Sequence, residues 1–282
     1  MLDCVVYVSS VANVKKHSRK QKCLESFAQG VINCGHQVKI EYDYVYSPSR
    51  LAVILGWATT NIGGHNITLR KQVIAEQQRR GMHVMCIDAS CWKYIDTDSR
   101  YLRYSIGGPF YDHAEYANSN SNNQRWQIIS KDLGVALKPH QKNSSGHILV
   151  CMQRDGGFAM KNLDPMAWAE QKVKHLSKIT QRKILLRPHP GESKNLNFAR
   201  FKTLGVKVTD ANNGSLLEDL QGAHSAVFYN SSASVAAVCE GIPVFVDDRS
   251  AVTWAVANKD LNQIETPLQR SEEHTSEVQS LA

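Results

Sequence analysis

Among the 282 residues no apolar run is long enough to span a bilayer, although 42% of the chain is apolar. The opening MLDCVVYVSSVANVKK lacks a charged leader and a cleavage site, so a soluble, unsecreted protein is expected. CxxC pairs are missing as well. The seven cysteines are scattered, which argues against zinc, and Cys4, Cys86, Cys151 and Cys239 lie in apolar segments. They are expected as buried thiols of a reducing compartment. Neither a Walker A pattern nor GxGxxG occurs, which disfavours the P-loop and common dinucleotide readings. Acid is the scarcer charge: 26 Asp and Glu stand against 33 Lys and Arg, a net charge of +7. That excess fits either a polyanionic partner or an ordinary basic surface.

What is present is alternation. Strand-like runs at 4–10, 36–42, 51–57, 83–89 and 101–106 enclose helical stretches at 16–33 and 67–80. The pattern lapses in the Asn-rich segment before Trp126 and in GVALKPHQKNSSG. It then restarts with strands at 147–153, 183–187, 206–209, 225–230 and 243–247, and helices at 165–180, 215–221 and 232–240. Such alternation predicts an α/β fold of two Rossmann-like domains facing a cleft. The expected boundaries are 1–140 and 146–269, with the linker between them.

Ligands of such sheets sit beyond the carboxyl ends of the strands. In the second half those ends carry Gln153 and Arg154, then Arg187 and His189 in RPHP, then Asn230, Ser231 and Ser232. Prolines stop the 183–187 strand, so its two polar heads must point somewhere definite; we expect a phosphate. Asn-Ser-Ser before a helix reads as an N-cap and an anion site. In the first half, Gly63-Gly64-His65 follows a strand, and its glycines suggest unusual backbone angles or close approach to a ligand. Asp88 ends another strand, as a candidate general base or equally as a cap. Trp92, with Trp57, Tyr94 and Tyr101, is expected on an aromatic rim beside Arg70, Lys93, Arg100 and Arg103, suited to a nucleic acid or to nothing in particular.

The second half, with RPHP after one strand, NSS between a later strand and its helix, and GIPVF after that helix, resembles nucleotide-sugar glycosyltransferases of the GT-B fold, and the segments CMQRDGGFAMKNLD, RPHPGE, YNSSASVA and EGIPVF together resemble phage and prophage glycosyltransferases. VILGWATTNIGGHN and VMCIDAS are similar, over about fifty residues, to the phage DNA glucosyltransferases that act on 5-hydroxymethylcytosine. The resemblance implies transfer of a sugar, glucose first, from a UDP-sugar to a hydroxymethylpyrimidine in double-stranded DNA, with inversion. Asp88 would be the base, and Arg154, Arg187, His189 and the Ser231–Ser232 turn would hold the leaving diphosphate. No resident cofactor is implied beyond the UDP-sugar co-substrate, and a divalent metal is not required. A monomer in the cytoplasm of a phage-infected host is implied, with no membrane partner. Where many GT-B enzymes place a ribose-binding glutamate, this chain has Ala236; Glu240 is the acid of that helix. The alternatives are a glycosyltransferase of capsule or lipopolysaccharide synthesis, and a catalytically idle nucleotide- or DNA-binding module.

The end of the chain differs in kind. Arg270–Ser280 resembles the translated sequence of a sequencing-library adapter, departing from it at Val278. Residues 270–282 are therefore expected to be a non-native tail from a read-assembled, metagenomic gene.

Overall fold

The computed structural model describes residues 2–11, 18–58, 64–112, 114–116, 123–155, 158–192 and 196–268. The expected tail at 270–282 and Gly63 lie outside them. The chain divides into two compact units, Met1–Ser90 with Ser99–Ala117 and Cys91–Asp98 with Asn118–Ala282. Each unit is built on one five-stranded sheet.

The first unit holds β1 (Leu2–Tyr7), α1 (Arg19–Asn33), β2 (Val38–Glu41), β3 (Ser49–Leu55), α2 (His65–Arg79), β4 (His83–Ala89) and β5 (Leu102–Ile106). Its strand order is β2-β1-β3-β4-β5. Strands β1 to β4 are parallel, whereas β5 runs antiparallel to β4. Val6 and Val53 pack on the α1 face, and Val5, Ile54 and Val73 on the α2 face. Both faces of the central strands are covered, which is why these strands read as continuous apolar runs. α2 also turns polar groups inward. Gln77 is fully buried and donates to the carbonyls of Ser49 (3.2 Å) and His83 (2.9 Å) while accepting from Tyr46 Oη (2.9 Å).

The second unit holds α3 (Gln124–Leu133), β6 (His147–Cys151), α4 (Pro165–Ile179), β7 (Ile184–Arg187), α5 (Ala199–Thr203), β8 (Lys207–Val208), α6 (Leu216–Leu220), β9 (Ala223–Phe228), α7 (Ser234–Cys239) and β10 (Val244–Val246). All strands are parallel, in the order β10-β9-β6-β7-β8. Asp164 starts α4 by accepting from the N–H groups of Met166 (2.7 Å) and Ala167 (3.3 Å), with Pro165 in the first turn. Ser215 and Glu218 form a reciprocal capping box at α6.

The expected boundary at 140–146 is displaced. The linker segment is sewn to the second unit: Lys138 N donates to Cys239 O (2.8 Å), and Gln141 N to Gly241 O (2.9 Å). Tyr94 packs against the core that contains Ala236 and Val238, which draws Cys91–Asp98 into the second unit. All seven cysteines are free thiols, and Cys4, Cys86, Cys151 and Cys239 are buried. Among the described residues no helix is long and apolar enough to cross a membrane.

Gly241 shows why the linker sits where it does. Its φ is +74°, and a Cβ there would lie 2.0 Å from Pro139 O. Gly35 has a similar φ, +82°, but nothing within 4 Å. Gly35→Ala should therefore cost the left-handed penalty alone, about 1–2 kcal/mol. Gly241→Ala should cost clearly more in urea denaturation, because it also lifts the linker; equal losses would contradict this packing.

Candidate active site

The second sheet is wound both ways from β6, with β7 and β8 on one side and β9 and β10 on the other. The order reverses between β6 and β9, where open α/β sheets bind ligands. Register makes the edge level. Cys151 pairs with Arg187 and with Phe228, so Gln153, His189 and Asn230 each follow by two residues. Gln153 Oε1 bridges the reversal by accepting from Asn230 N (3.3 Å).

Asn230 is buried, and both hydrogens of its amide are engaged inward. They go to Ala159 O (2.9 Å) and Ser250 Oγ (2.6 Å). Ser250 Oγ donates in turn to Asp248, which also accepts from Tyr229 Oη (3.0 Å) and pairs with Lys161 (2.9 Å). These hydrogen bonds pull Asp248 below the usual carboxylate range against the opposing effect of burial, which is the largest single influence. Lys161 and Asn162 adopt left-handed φ values of +50° and +69°, and the Lys161–Asp248 pair holds that turn down. Asn230 thus frames the edge. Asn230 is expected from the sequence among the donor- and phosphate-binding residues; its amide hydrogens are spent inward, and its Oδ1 has no partner among the described residues.

The Asn-Ser-Ser reading shifts as well. α7 starts at Ser234, and its cap position, Ala233, makes no side-chain bond. Ser231 Oγ instead accepts from Ala233 N (3.2 Å), and Ser231 O from Ser234 N (3.0 Å), forming a tight turn ahead of the helix. Ser231 and Ser232 are half-buried in that turn. Glu240, beyond the far end of α7, pairs with Lys138 of the linker.

Arg187, expected at a phosphate, is engaged within the protein. It shares the strand face of Leu185, which packs against the core built on α6 and α7. There it meets Asp219 in a buried ion pair and donates to Gly214 O (2.9 Å) and Ser215 O (3.2 Å). Thr209 Oγ1 also donates to Asp219 (2.7 Å). Arg187 is 6% exposed. Its task is to bind the β8–α6 loop to the sheet edge.

The groups left for an anion are Arg154, His189 and the half-buried Ser231–Ser232 turn. Arg154 is exposed and has no ion-pair partner among the described residues. His189 Nδ1 accepts from Gly191 N (2.9 Å), so the neutral ring carries its proton on Nε2. Burial, and then the Arg154 charge, hold His189 below the ordinary histidine value, with Glu192 opposing. The unfolded chain therefore takes up this proton first, and acidification below about pH 6.5 removes stability. Beside this edge a cavity of about 430 Å³ is lined by Asp155, Asp164, Asn197 and Arg200, within the size range of small-ligand sites.

In the first unit Asp88 is partly exposed near the end of β4. Its Oδ2 pairs with Arg103 (3.2 Å), and its Oδ1 accepts from Ala89 N (2.8 Å). Gly64 needs no special backbone: its φ is −77°, and its carbonyl receives the first N–H groups of α2. His65 is exposed and its ring lies 5.4 Å from that of Tyr44. Trp92 is corrected from rim to core. It is 1% exposed and packs against Trp126 and Tyr94 (5.6 and 6.4 Å between ring centroids) within the second unit.

No family model and no curated protein matches the sequence. Solved structures do match. A Thermosulfurimonas dismutans KpsC structure titled a beta Kdo 2,4 transferase aligns at a TM-score of 0.60 and 11% identity, over 100% of this chain and 90% of that one. A second KpsC structure from the same organism, titled a beta Kdo 2,7 transferase, gives 0.53 and 13%, over 93% and 88%. The chain therefore has the two-unit α/β fold of these GT-B-like proteins.

Removing Arg187 strands the Asp219 carboxylate. Arg187→Ala should lower unfolding free energy by about 3–5 kcal/mol, read by urea denaturation. A loss under about 1 kcal/mol, within the range of an exposed pair, would show that the pair is not structural.

Proposed function

We propose that this chain is a glycosyltransferase that moves a sugar from a nucleotide-activated donor to a hydroxyl of a surface polysaccharide. The observation that carries the reading is the carboxyl edge of the second sheet, where Arg154, the Nε2 side of His189 and the Ser231–Ser232 turn remain for the phosphate or diphosphate of a nucleotide. The fold shared with two structures titled as Kdo transferases supports the polysaccharide acceptor. A leaving nucleotide needs charge stabilisation, which Arg154 and the Nε2 proton of His189 supply. We assign Asp88 to the acceptor: its carboxylate takes the hydroxyl proton as the oxygen attacks opposite the leaving nucleotide, which inverts the anomeric centre. Arg103 holds that carboxylate in place.

A second reading keeps the nucleotide donor and substitutes hydroxymethylated double-stranded DNA as acceptor. The net charge of +7 favours it. The loss of Trp92 from the rim removes one of its supports.

The test is a panel of UDP- and CMP-activated sugars, offered with acidic capsule oligosaccharides and separately with hydroxymethylcytosine DNA, with product masses read by mass spectrometry. A sugar increment on the oligosaccharide is expected, and one on DNA alone would install the second reading. Asp88→Asn should abolish transfer and leave nucleotide affinity unchanged; retained transfer removes Asp88 from the chemistry.

A further inference from the structure

The first sheet has its own reversal. Its order runs β2-β1-β3, so the switch point lies between the ends of β1 and β3. Ser10 follows β1 and Gly56 follows β3. Ser10 ties the two ends together: its Oγ accepts from Leu55 N (2.9 Å) and donates to Tyr7 O (2.6 Å). Across this junction lies a guanidinium. Arg70, from the second turn of α2, donates through Nε (2.8 Å) and Nη2 to Ser10 O. Its Nη1 rests on Gly56, where a Cβ would lie 3.0 Å away. Gly56 has φ +80°, so the position both needs glycine and uses the missing side chain to admit the arginine.

We propose that Arg70 anchors an oxyanion of the acceptor substrate, a carboxylate or a phosphate, at the switch point of the first sheet. This rests on the assignment of Asp88, in the first unit, to the acceptor. Partly buried cations are normally paired, yet Arg70 has no carboxylate within ion-pair distance among the described residues, and Asp88 is held by Arg103. One carbonyl serves two of its five N–H groups. The others, on Nη1 and Nη2, form the fork that matches carboxylate or phosphate oxygens. Burial depresses the Arg70 proton affinity, while Cys86 and Asp88 oppose this. With Arg103 and Asp88 counted, the local charge stays positive, which attracts an anion. Asp88 shares the strand face of Val84, the face covered by α2. An acceptor held by Arg70 is therefore anchored on the side of the sheet where Asp88 projects.

The probes are glucuronate, glucose and inorganic phosphate, added to the intact chain while the Arg70 Nε–H resonance is followed by NMR. Glucuronate or phosphate should move it and glucose should not; the tighter of the two identifies the oxyanion as carboxylate or phosphate. No movement with either anion, or equal movement with glucose, overturns the proposal. In parallel, Arg70→Gln should weaken binding of the effective anion about tenfold or more, and Arg70→Lys should recover part of it. Nucleotide affinity should stay at the wild-type value in both. A folded Arg70→Gln chain within about twofold of wild type would also overturn it. Should these variants fail to fold, the wild-type resonance decides. A responsive Arg70 in a chain that binds no nucleotide would remove the donor reading and leave this anion site standing.

Discussion

Both sheets depend on one topological constraint. A parallel sheet that winds outward in two directions from its first strand must leave a junction where neighbouring connections diverge. At that junction the backbone groups past the strand ends lack ladder partners, and side chains must bridge them. In the first unit Ser10 and Arg70 make the bridge; in the second, Gln153 and Asn230 do. The polar residues at these junctions are thus placed by the need to finish the sheets.

The same constraint separates residues that build the edge from residues that serve it. Asn230 and Arg187 are both buried, and their hydrogen bonds run inward to Ser250 and Asp219. A buried arginine with a carboxylate and two carbonyls is satisfied, and drawing it out toward a ligand would strand Asp219. Arg154 and His189 are different, since neither loses a protein anion by turning to a phosphate. Arg70 belongs with them, as a cation whose neighbours leave part of its fork open.

Much of this was legible in the sequence. The strand end at Arg187, and those within two residues of Asp88 and Asn230, followed from apolar runs that stop at polar residues, and the doubling of the alternation gave two units. The direction of β5 was not legible, because YLRYSI carries no sign of which way it runs. α5 is a single short turn around Phe201, below the length at which helical periodicity shows. Strand parity decided Arg187: it shares the Leu185 face, but only the position of α6 reveals that Asp219 waits there. Trp92 lies in a polar stretch and reads as exposed, yet its ring partner Trp126 is distant in sequence. The inward turn of Arg70 and Gln77 was not legible, because inward polar groups blur the helical pattern.

The central claim is that the carboxyl edge of the second sheet binds phosphate. It is tested most directly by following the His189 imidazole through a pH titration by NMR, with and without saturating UDP or CMP. In the free chain the midpoint should lie below the ordinary histidine value, held down by burial and Arg154. A bound phosphate accepting from Nε2 should raise it, because an adjacent anion favours the imidazolium. A midpoint that does not move with either nucleotide would contradict the account.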